Sequence, residues 1–523
     1  MELTRRSFLQ LGGAALPVGA TPTKPNVLTI ISDQLNASVT SVYGGPVGTP
    51  NLERLARRGV VFTNATCPTP FCSPSRASIV TGQYPHRHGI VYNVMKIDYP
   101  AVKSQGIDEG IIAADITADK ILHEQGYSTH QYGKWHLSGD PLAYYPDQYG
   151  ECREYARELQ PLFSEIRKRP REQWMNWYGW ILPVTVNPGY RSTWAEDDPV
   201  RKHTNSDFIM KVGRLDLPRG DLFDVRVADH TVQKLRSLDA RPFSLTCSLM
   251  WPHDPNVIPM PYYADYHPSR IELRGSGNVR ERRFENDFSR QIMARHSDIR
   301  LREFLRVYYG TVRLIDDQVG RVLDALDQSG RADDTIVIFT ADHGDMASGH
   351  GMVWKSTSAF YDEIVRIPLI VSWPRKIQAG KSEAAASLVD LAPTILDLTG
   401  HRIPGSMQGT NLAPVLLGRS SAARYVYGFC ERVHANSKRT RSLDEGTTSH
   451  FMIRGDGWKY AVYSDGEEFL YDLTKDPGET RNLAGEPARQ NRKRDLRREL
   501  RVWLDRTSFR GKRLEADRFG KPS

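Results

Sequence analysis

The feature that most constrains the fold is a series of short apolar runs, separated by helical patterns and each followed by polar residues. Such alternation is typical of a largely parallel β-sheet covered by helices on both faces. Open sheets of this kind form their ligand crevice beyond the carboxyl ends of the strands, so the polar residues are predicted to meet at one site. The four most informative runs are residues 26–32, 127–132, 243–249 and 335–341, and they lead to Asp33, Lys134, His136, His253 and Asp342.

A long amphipathic segment and a change of pattern near residue 420 complete the predicted fold. Residues 314–326 carry apolar side chains at helical spacing, with the pair Asp316-Asp317 expected on a solvated face. Beyond residue 420, two alternating runs around residues 464–467 predict a hairpin, and a helix closes the chain. We expect a large α/β domain over residues 21–420 and a smaller α+β subdomain, an antiparallel sheet plus a helix, over residues 421–523.

Residues 138–235 lack the alternation and are predicted to form an insertion that borders the crevice. The segment is rich in tryptophan, whose ring can pack in a core or stack on a sugar, and core packing is the favoured interpretation. These tryptophans are Trp174, Trp177, Trp180 and Trp194.

Cys72 lies in the run Phe71-Cys72-Ser73-Pro74-Ser75-Arg76, which predicts the start of a helix. Proline suits the first helical turn because it lacks the N–H that would stay unpaired there. The unpaired N–H groups and the aligned peptide dipoles favour an anion at this position, and Arg76 adds a positive charge one turn later. Negative charge on residue 72, or on a group bound to it, is therefore expected to be stabilised.

The run from Phe71 to Gly82, continued by residues 83–89, resembles the signature of the type I sulfatases. In that family a Cys-x-Pro-x-Arg core directs a maturation enzyme to oxidise the cysteine to formylglycine. The aldehyde is hydrated to a geminal diol, of which one oxygen attacks sulfur and the other later expels sulfate as the aldehyde returns. The resemblance implies an alkaline-phosphatase-like fold and a formylglycine made from Cys72 by a formylglycine-generating enzyme.

A metal site is predicted where two of the strands end. Asp33 with Gln34, and Asp342 with His343, each place a carboxylate beside an amide or imidazole that can complete a divalent cation shell. Residues 340–346 and 349–355 resemble the second sulfatase signature. The resemblance implies that these four side chains bind one metal, usually Ca²⁺, together with an oxygen of the modified Cys72.

Two positions depart from the commonest arylsulfatase pattern, in which Asp33 is followed by a second Asp and Asp342 by Asn. Gln34 and His343 resemble instead the choline-sulfatase-like and phosphonate monoester hydrolase branches, which share the formylglycine. Because imidazole also admits transition metals, Mn²⁺ stays an alternative to Ca²⁺. Activity toward phosphate esters is a second expectation from the same departure.

Further roles follow from the charge that sulfate ester cleavage develops. The sulfate oxygens need cations, and the departing alkoxide needs a proton donor. By resemblance, Arg76 and Lys134 steady the formylglycine diol, and Lys355 holds the sulfate oxygens together with the metal. His253 is expected to protonate the leaving oxygen, and His136 matches a family histidine that assists hemiacetal breakdown.

The N-terminus carries Thr4-Arg5-Arg6-Ser7-Phe8-Leu9, then a mildly apolar stretch and small residues. This pattern predicts a twin-arginine export signal over residues 1–20 and a periplasmic mature protein. No later segment is apolar over a length that could span a bilayer, so no membrane span is expected. The 5 cysteines form no metal-ligand pairs, and their odd number leaves at least one outside any intramolecular disulfides.

The formal net charge of +8 raises the question of a nucleic-acid partner. The basic C-terminal helix interleaves its cations with Asp495, Glu499 and Asp505 at helical spacing, as in a solvated helix face. We therefore expect no nucleic-acid partner, whereas a positive field suits a sulfated, polyanionic substrate.

The sequence is thus identified as a member of the formylglycine-dependent sulfatases of the alkaline phosphatase superfamily, with a sulfated carbohydrate as the hypothesised substrate. The first alternative is a phosphodiesterase or phosphonate monoester hydrolase with the same nucleophile. The second is a non-catalytic protein that binds sulfated glycans and keeps Cys72 unmodified, favoured only by the tryptophan-rich insertion.

Overall fold

The computed structural model describes residues 24–94, 110–112, 114–137, 160–170, 173–177, 180–186, 212–274, 297–355, 359–419, 425–432, 448–464 and 466–509. The predicted export signal, Trp194 and Cys152 lie outside these residues. The strands are β1 (Asn26–Asp33), β2 (Gly59–Thr66), β3 (Ser128–Gly133), β4 (Trp174–Trp177), β5 (Trp180–Val186), β6 (Gly213–Leu215), β7 (Phe243–Pro252), β8 (Val257–Ile258), β9 (Thr335–Ala341), β10 (Leu369–Ser372), β11 (Gly380–Ser387), β12 (Tyr425–Arg432), β13 (Thr448–Gly455), β14 (Trp458–Val462) and β15 (Glu468–Asp472).

Helices connect these strands, as the alternating pattern predicts. They are α1 (Pro50–Ala56), α2 (Cys72–Thr81), α3 (Pro85–His88), α4 (Ala118–Glu124), α5 (Gln160–Arg167), α6 (Phe223–Ser237), α7 (Asp298–Gln328), α8 (Asp362–Val365), α9 (Leu391–Leu398), α10 (Ala413–Leu416) and α11 (Gln490–Arg506). Helices α6 and α7 pack against one face of the main sheet, and α2, α4 and α9 lie against the other. None of the described helices is long and apolar enough to cross a membrane.

The main sheet has seven strands in the order β11-β2-β10-β9-β1-β7-β3. Strand β1 pairs in parallel with β7 and β9, and β3 pairs in parallel with β7. These four neighbours contain the four apolar runs, so their carboxyl ends share one edge of the sheet. The expected α/β class and the meeting of widely separated segments are confirmed.

Helix α7 begins 16 residues before the predicted segment, and its Asp316 corrects a prediction. The side chain is fully buried rather than solvated, because its carboxylate accepts hydrogen bonds from the backbone N–H groups of Asn51 and Leu52 at 3.1 and 2.9 Å. Asp316 thus satisfies unpaired N–H groups at the start of α1, a task that a solvated residue could not perform. Its neighbour Asp317 accepts a hydrogen bond from the hydroxyl of Tyr262 at 2.7 Å.

Two smaller sheets flank the main one. Strands β12-β13-β14-β15 form an antiparallel sheet with the predicted hairpin between β14 and β15, and α11 packs on it through Leu496, Leu500 and Trp503. Strands β4-β5-β6-β8 form the second small sheet. Its strands β4, β5 and β6 lie in the predicted insertion and β8 lies beyond it, and most of the insertion is outside the described residues. Helix α6, which begins inside that insertion and ends two residues beyond it, packs on β7. The division into domains at residue 420 stays a prediction.

Candidate active site

Cys72 is the first residue of α2, as the sequence predicts. The start of the helix is fixed by a chain of hydrogen bonds, in which the N–H of Ser73 donates to Asn93 Oδ1 at 3.1 Å and the hydroxyl of Ser73 donates to the carbonyl of His136 at 2.7 Å. Cys72 itself is fully buried. Cys72 therefore lies at a helix N-terminus that is closed to bulk water, where the aligned peptide dipoles favour negative charge.

Three side chains from distant segments surround the Cys72 sulfur. Lys355 Nζ lies 2.9 Å from Sγ, His343 Nε2 lies 3.2 Å away, and Asp33 Oδ1 lies 3.8 Å away. Burial would raise the pKa of the thiol, but the charges of Lys134, Lys355 and His343 and a hydrogen bond from His136 bring it well below its usual value. The position thus stabilises a negatively charged atom on residue 72.

Arg76 ties the helix to the ends of four strands. Its Nη2 donates to Asp33 Oδ2 at 3.0 Å and its Nε donates to Asp342 Oδ2 at 2.8 Å. Its Nη1 donates to the carbonyl of Lys134 at 2.9 Å and to the hydroxyl of Ser248 at 2.8 Å. The guanidinium is therefore committed to the two carboxylates and the sheet edge, and it acts on Cys72 through its charge.

The two carboxylates differ in their surroundings. Burial opposes the charge on Asp33, but Lys134, His253 and Arg76 hold its pKa well below the usual range, and Lys134 Nζ lies 2.6 Å from Oδ2. Burial and the neighbouring charge of Asp33 instead raise the pKa of Asp342. Asp33 is thus the carboxylate that stays ionised most firmly.

Four of the predicted residues form a group that could hold a metal ion. One ligand atom each from Asp33, Cys72, Asp342 and His343 lies within 4.8 Å of the others, and all four residues are buried. His343 Nδ1 lies 2.9 Å from the carbonyl of Gly344. That hydrogen bond keeps a proton on Nδ1, so the ring could offer the lone pair of Nε2 to a cation once Nε2 has lost its own proton.

Gln34, the chain neighbour of Asp33, carries a buried side-chain oxygen that could join this group. Its Oε1 is buried without a hydrogen bond among the described residues, whereas its Nε2 donates to Asp345 Oδ2 at 2.6 Å. An unpaired buried acceptor is costly, and a cation at the carboxylates would satisfy it. Asp345 also accepts from the N–H groups of Ala347 and Trp354, at 2.7 and 3.1 Å.

Asp345 is a residue that sequence reasoning missed. It lies inside the run that resembles the second sulfatase signature, but nothing in that run distinguishes it from a surface acid. In the structure it is fully buried and orients the amide of Gln34.

The two predicted histidines lie at the same edge of the sheet. His136 follows β3, is 5% exposed, and has a positive φ of 58°. His253 follows β7, and its Nδ1 lies 2.8 Å from the carbonyl of Asp254 and 3.1 Å from Asp254 Oδ1. With Nδ1 engaged, Nε2 is the ring nitrogen available to a substrate.

Comparison with known proteins identifies the family. The sulfatase family profile matches residues 25–401, which is more than half of the chain and includes every predicted site residue. The chain belongs to the sulfatase family. A second profile, the N-sulphoglucosamine sulphohydrolase C-terminal region, matches residues 350–505 of this sulfatase.

Two curated relatives and one solved structure match the sulfatase over most of their length. The sulfatase is 26% identical to N-acetylglucosamine-6-O-sulfatase of Bacteroides thetaiotaomicron, over 93% of this chain and 88% of the relative. It is 27% identical to choline-sulfatase of Rhizobium meliloti, over 89% and 83%. The phosphonate monoester hydrolase of Agrobacterium radiobacter has the same fold, with a TM-score of 0.70, 21% identity and coverage of 92% and 96%.

The sulfatase is therefore an enzyme that hydrolyses sulfate esters, with an alkaline-phosphatase-like fold. The alternative of a non-catalytic glycan-binding protein is not supported, since the relatives are enzymes and the polar residues gather at one crevice.

Proposed function

We propose that the sulfatase uses a formylglycine made from Cys72 to cleave a sulfate ester. The observation that carries this proposal is the position of Cys72 Sγ, at the start of α2 and within 3.2 Å of both Lys355 Nζ and His343 Nε2. When present, the hydrated aldehyde supplies a nucleophilic oxygen and a route for releasing sulfate that a thiol lacks. The protein would need a formylglycine-generating enzyme as its maturation partner.

We also propose that Asp33, Gln34, Asp342 and His343 hold one divalent cation beside residue 72. The donor set fits such an ion, because it offers two carboxylates, an imidazole nitrogen and the unpaired buried Oε1 of Gln34. Hard oxygen donors favour Ca²⁺, and the imidazole keeps Mn²⁺ as the alternative. The cation would supply positive charge to the bound sulfate group.

The chain's own residues divide the remaining work. Lys355 is 1% exposed and has its ammonium at Cys72, so it can bind a sulfate oxygen there without competition from water. Arg76 and Lys134 keep Asp33 ionised and in place. His253 would donate a proton to the leaving oxygen through Nε2, and His136 would assist the return of residue 72 to its resting form.

A sulfated carbohydrate is the proposed substrate. The proposal is supported by the relative named N-acetylglucosamine-6-O-sulfatase and by the net charge of +8, which attracts polyanions. A phosphonate or phosphate ester is the second candidate, because Gln34 and His343 resemble the phosphonate monoester hydrolase branch and the fold is shared with a phosphonate monoester hydrolase. Export to the periplasm through the twin-arginine signal is likewise a proposal.

The test is a comparison of matched sulfate and phosphate esters of sugars and of small alcohols. We expect sulfate release from sulfated sugars to be fastest and to be abolished in Cys72→Ala. Cys247→Ala is the matched control, since Cys247 is also a buried cysteine but lies within β7, where burial raises its pKa to about 12. Activity confined to small esters would exclude the carbohydrate, faster phosphate release would favour the second candidate, and an active Cys72→Ala enzyme would refute the proposed nucleophile.

A further inference from the structure

Strand β7 leaves the sheet just before His253. Its Ser248 pairs with Ile31 of β1, but the next pair joins Pro252 to Asp33, so β7 has more residues than β1 over this stretch. The pairing of β7 with β3 also ends at Ser248. Residues 249–251 therefore form a bulge, and no residue of β1 or β3 is in register with them in the described sheet.

Asp224 supplies hydrogen-bond acceptors for two backbone N–H groups of this bulge. This residue lies in the first turn of α6 and is 1% exposed. Its Oδ1 accepts from the N–H of Met250 at 2.6 Å, and its Oδ2 accepts from the N–H of Trp251 at 2.9 Å. Both N–H groups belong to buried residues, so losing either acceptor would leave a buried donor unpaired.

The bulge holds the backbone of His253 directly. The N–H of His253 donates to the carbonyl of Met250 at 3.1 Å, and the carbonyl of Trp251 accepts from the hydroxyl of Ser32 at 2.7 Å. The bulge is thus fastened on one side to the strand that carries Asp33 and on the other to Asp224. Any shift of residues 250–251 moves the imidazole relative to the crevice.

We propose that Asp224 is a positioning residue that fixes the β7 bulge and thereby places His253 at the leaving oxygen of the ester. This inference rests on the proposed role of His253 as the proton donor. Asp224 would not touch the substrate; its carboxylate would act only through the backbone of Met250 and Trp251. Transfer of a proton from His253 Nε2 to the leaving oxygen, as the S–O bond breaks, is the step that depends on it.

The test compares a sulfate ester that needs a proton donor with one that does not. A sugar or alkyl sulfate has a basic leaving oxygen, whereas 4-nitrophenyl sulfate has an acidic one that departs without help. In Asp224→Asn one acceptor oxygen becomes an NH₂ donor that faces a backbone N–H. We expect kcat/KM for the alkyl ester to fall at least about tenfold more than for the aryl ester, since general acid catalysis contributes about 10²–10⁴.

A double mutant separates this inference from the proposed function on which it rests. His253→Ala should show the same preference for the aryl ester, and Asp224→Asn should add no further loss in that background. If His253→Ala shows no preference, the proposed role of His253 is wrong and the inference falls with it. If His253→Ala shows the preference but Asp224→Asn slows both esters equally, the inference alone is wrong.

Asp316→Asn is the matched control, because Asp316 is also a buried carboxylate that accepts two backbone N–H groups. Asp316 is remote from the site. Tyr308, also in α7, donates a hydrogen bond to the carbonyl of Gln34, and Asp316 lies eight residues further along the helix, a distance of about 12 Å along its axis. If Asp316→Asn lowers kcat/KM, it should lower it equally for both esters.

Asp224→Ser is the fallback variant if Asp224→Asn fails to fold, because serine is smaller and keeps one acceptor. It should show the same preference for the aryl ester in weaker form. An absence of that preference would also overturn the inference.

Discussion

At the scale of single residues, the active site concentrates charges that would be costly to bury alone. Asp33, Arg76, Lys134 and Lys355 are each at most 5% exposed. Each of them has an opposite or polar partner within 3.0 Å, which offsets the loss of hydration. The sequence predicted these residues, because a signature run or a strand end marked each of them.

Asp345 gives a prediction at this scale. In Asp345→Asn an NH₂ donor would face Gln34 Nε2, so the Gln34 amide should turn and remove Oε1 from the metal position. We expect metal affinity to fall about 10- to 100-fold, as is usual when an outer partner of a ligand is lost. The measurement is the Ca²⁺ concentration needed to restore both activity and the thermal unfolding midpoint after chelation. Unchanged Ca²⁺ dependence would refute the role of Asp345, and Asp316→Asn serves again as the control.

Residues such as Asp224, Asp316 and Asp345 could not be predicted from the sequence. Asp224 and Asp316 accept hydrogen bonds from the backbone of segments far away in the chain, and Asp345 accepts one from the distant side chain of Gln34. No local pattern encodes such a partner, so each one resembles an ordinary acid on a solvated face. Their functions can be assigned only from the structure, which shows the buried N–H groups whose hydrogen bonds these carboxylates accept.

At the scale of elements, the strand ends were predicted well because apolar runs and the polar residues behind them are local signals. Strand β9 has the predicted limits, whereas β7 extends to Pro252 because the bulge continues it. The order of the strands was not predictable, since pairing between distant segments depends on packing across the whole sheet. The beginning of α7 was missed although its first turns carry buried apolar side chains at helical spacing, among them Leu301, Phe304 and Leu305, so this start was readable from the pattern.

A cluster of charges joins the C-terminal sheet to the catalytic sheet. Asp362, at the start of α8, accepts from Arg454 of β13 at 2.9 Å and from Lys459 of β14 at 2.7 Å. Lys459 also lies 2.7 Å from Glu479. The four side chains are largely buried, with Asp362 the most exposed at 16%.

Asp362→Asn should therefore lower the free energy of unfolding by about 3 kcal/mol, because it leaves buried cations without their partner. Asp334→Asn is the control, since its exposed pair with Arg375 should contribute less than about 1 kcal/mol.

Despite burial, Arg454 and Lys459 hold the pKa of Asp362 far below its usual value. Its stabilisation is thus present above the unfolded pKa of about 4 and is lost as the pH falls toward the folded pKa. Urea unfolding at about pH 7 and about pH 3 should show the difference from wild type narrowing in acid; equal differences would contradict this account.

At the scale of the whole molecule, the chain combines an alkaline-phosphatase-like sheet with a C-terminal sheet and helix, and both parts match sulfatase profiles. The fold class and the family were predictable because two signature runs and the alternation of strands and helices span most of the sequence. Substrate preference was not, since much of the predicted insertion over residues 138–235 carries no signature. The division into two domains and the carbohydrate substrate remain predictions.

The most direct test of the central claim is mass spectrometry of the peptide that contains Cys72, from protein produced together with a formylglycine-generating enzyme. The account predicts an aldehyde in place of the thiol, and a rate of sulfate release that rises in proportion to the converted fraction. A fully active enzyme in which residue 72 keeps its thiol would contradict it.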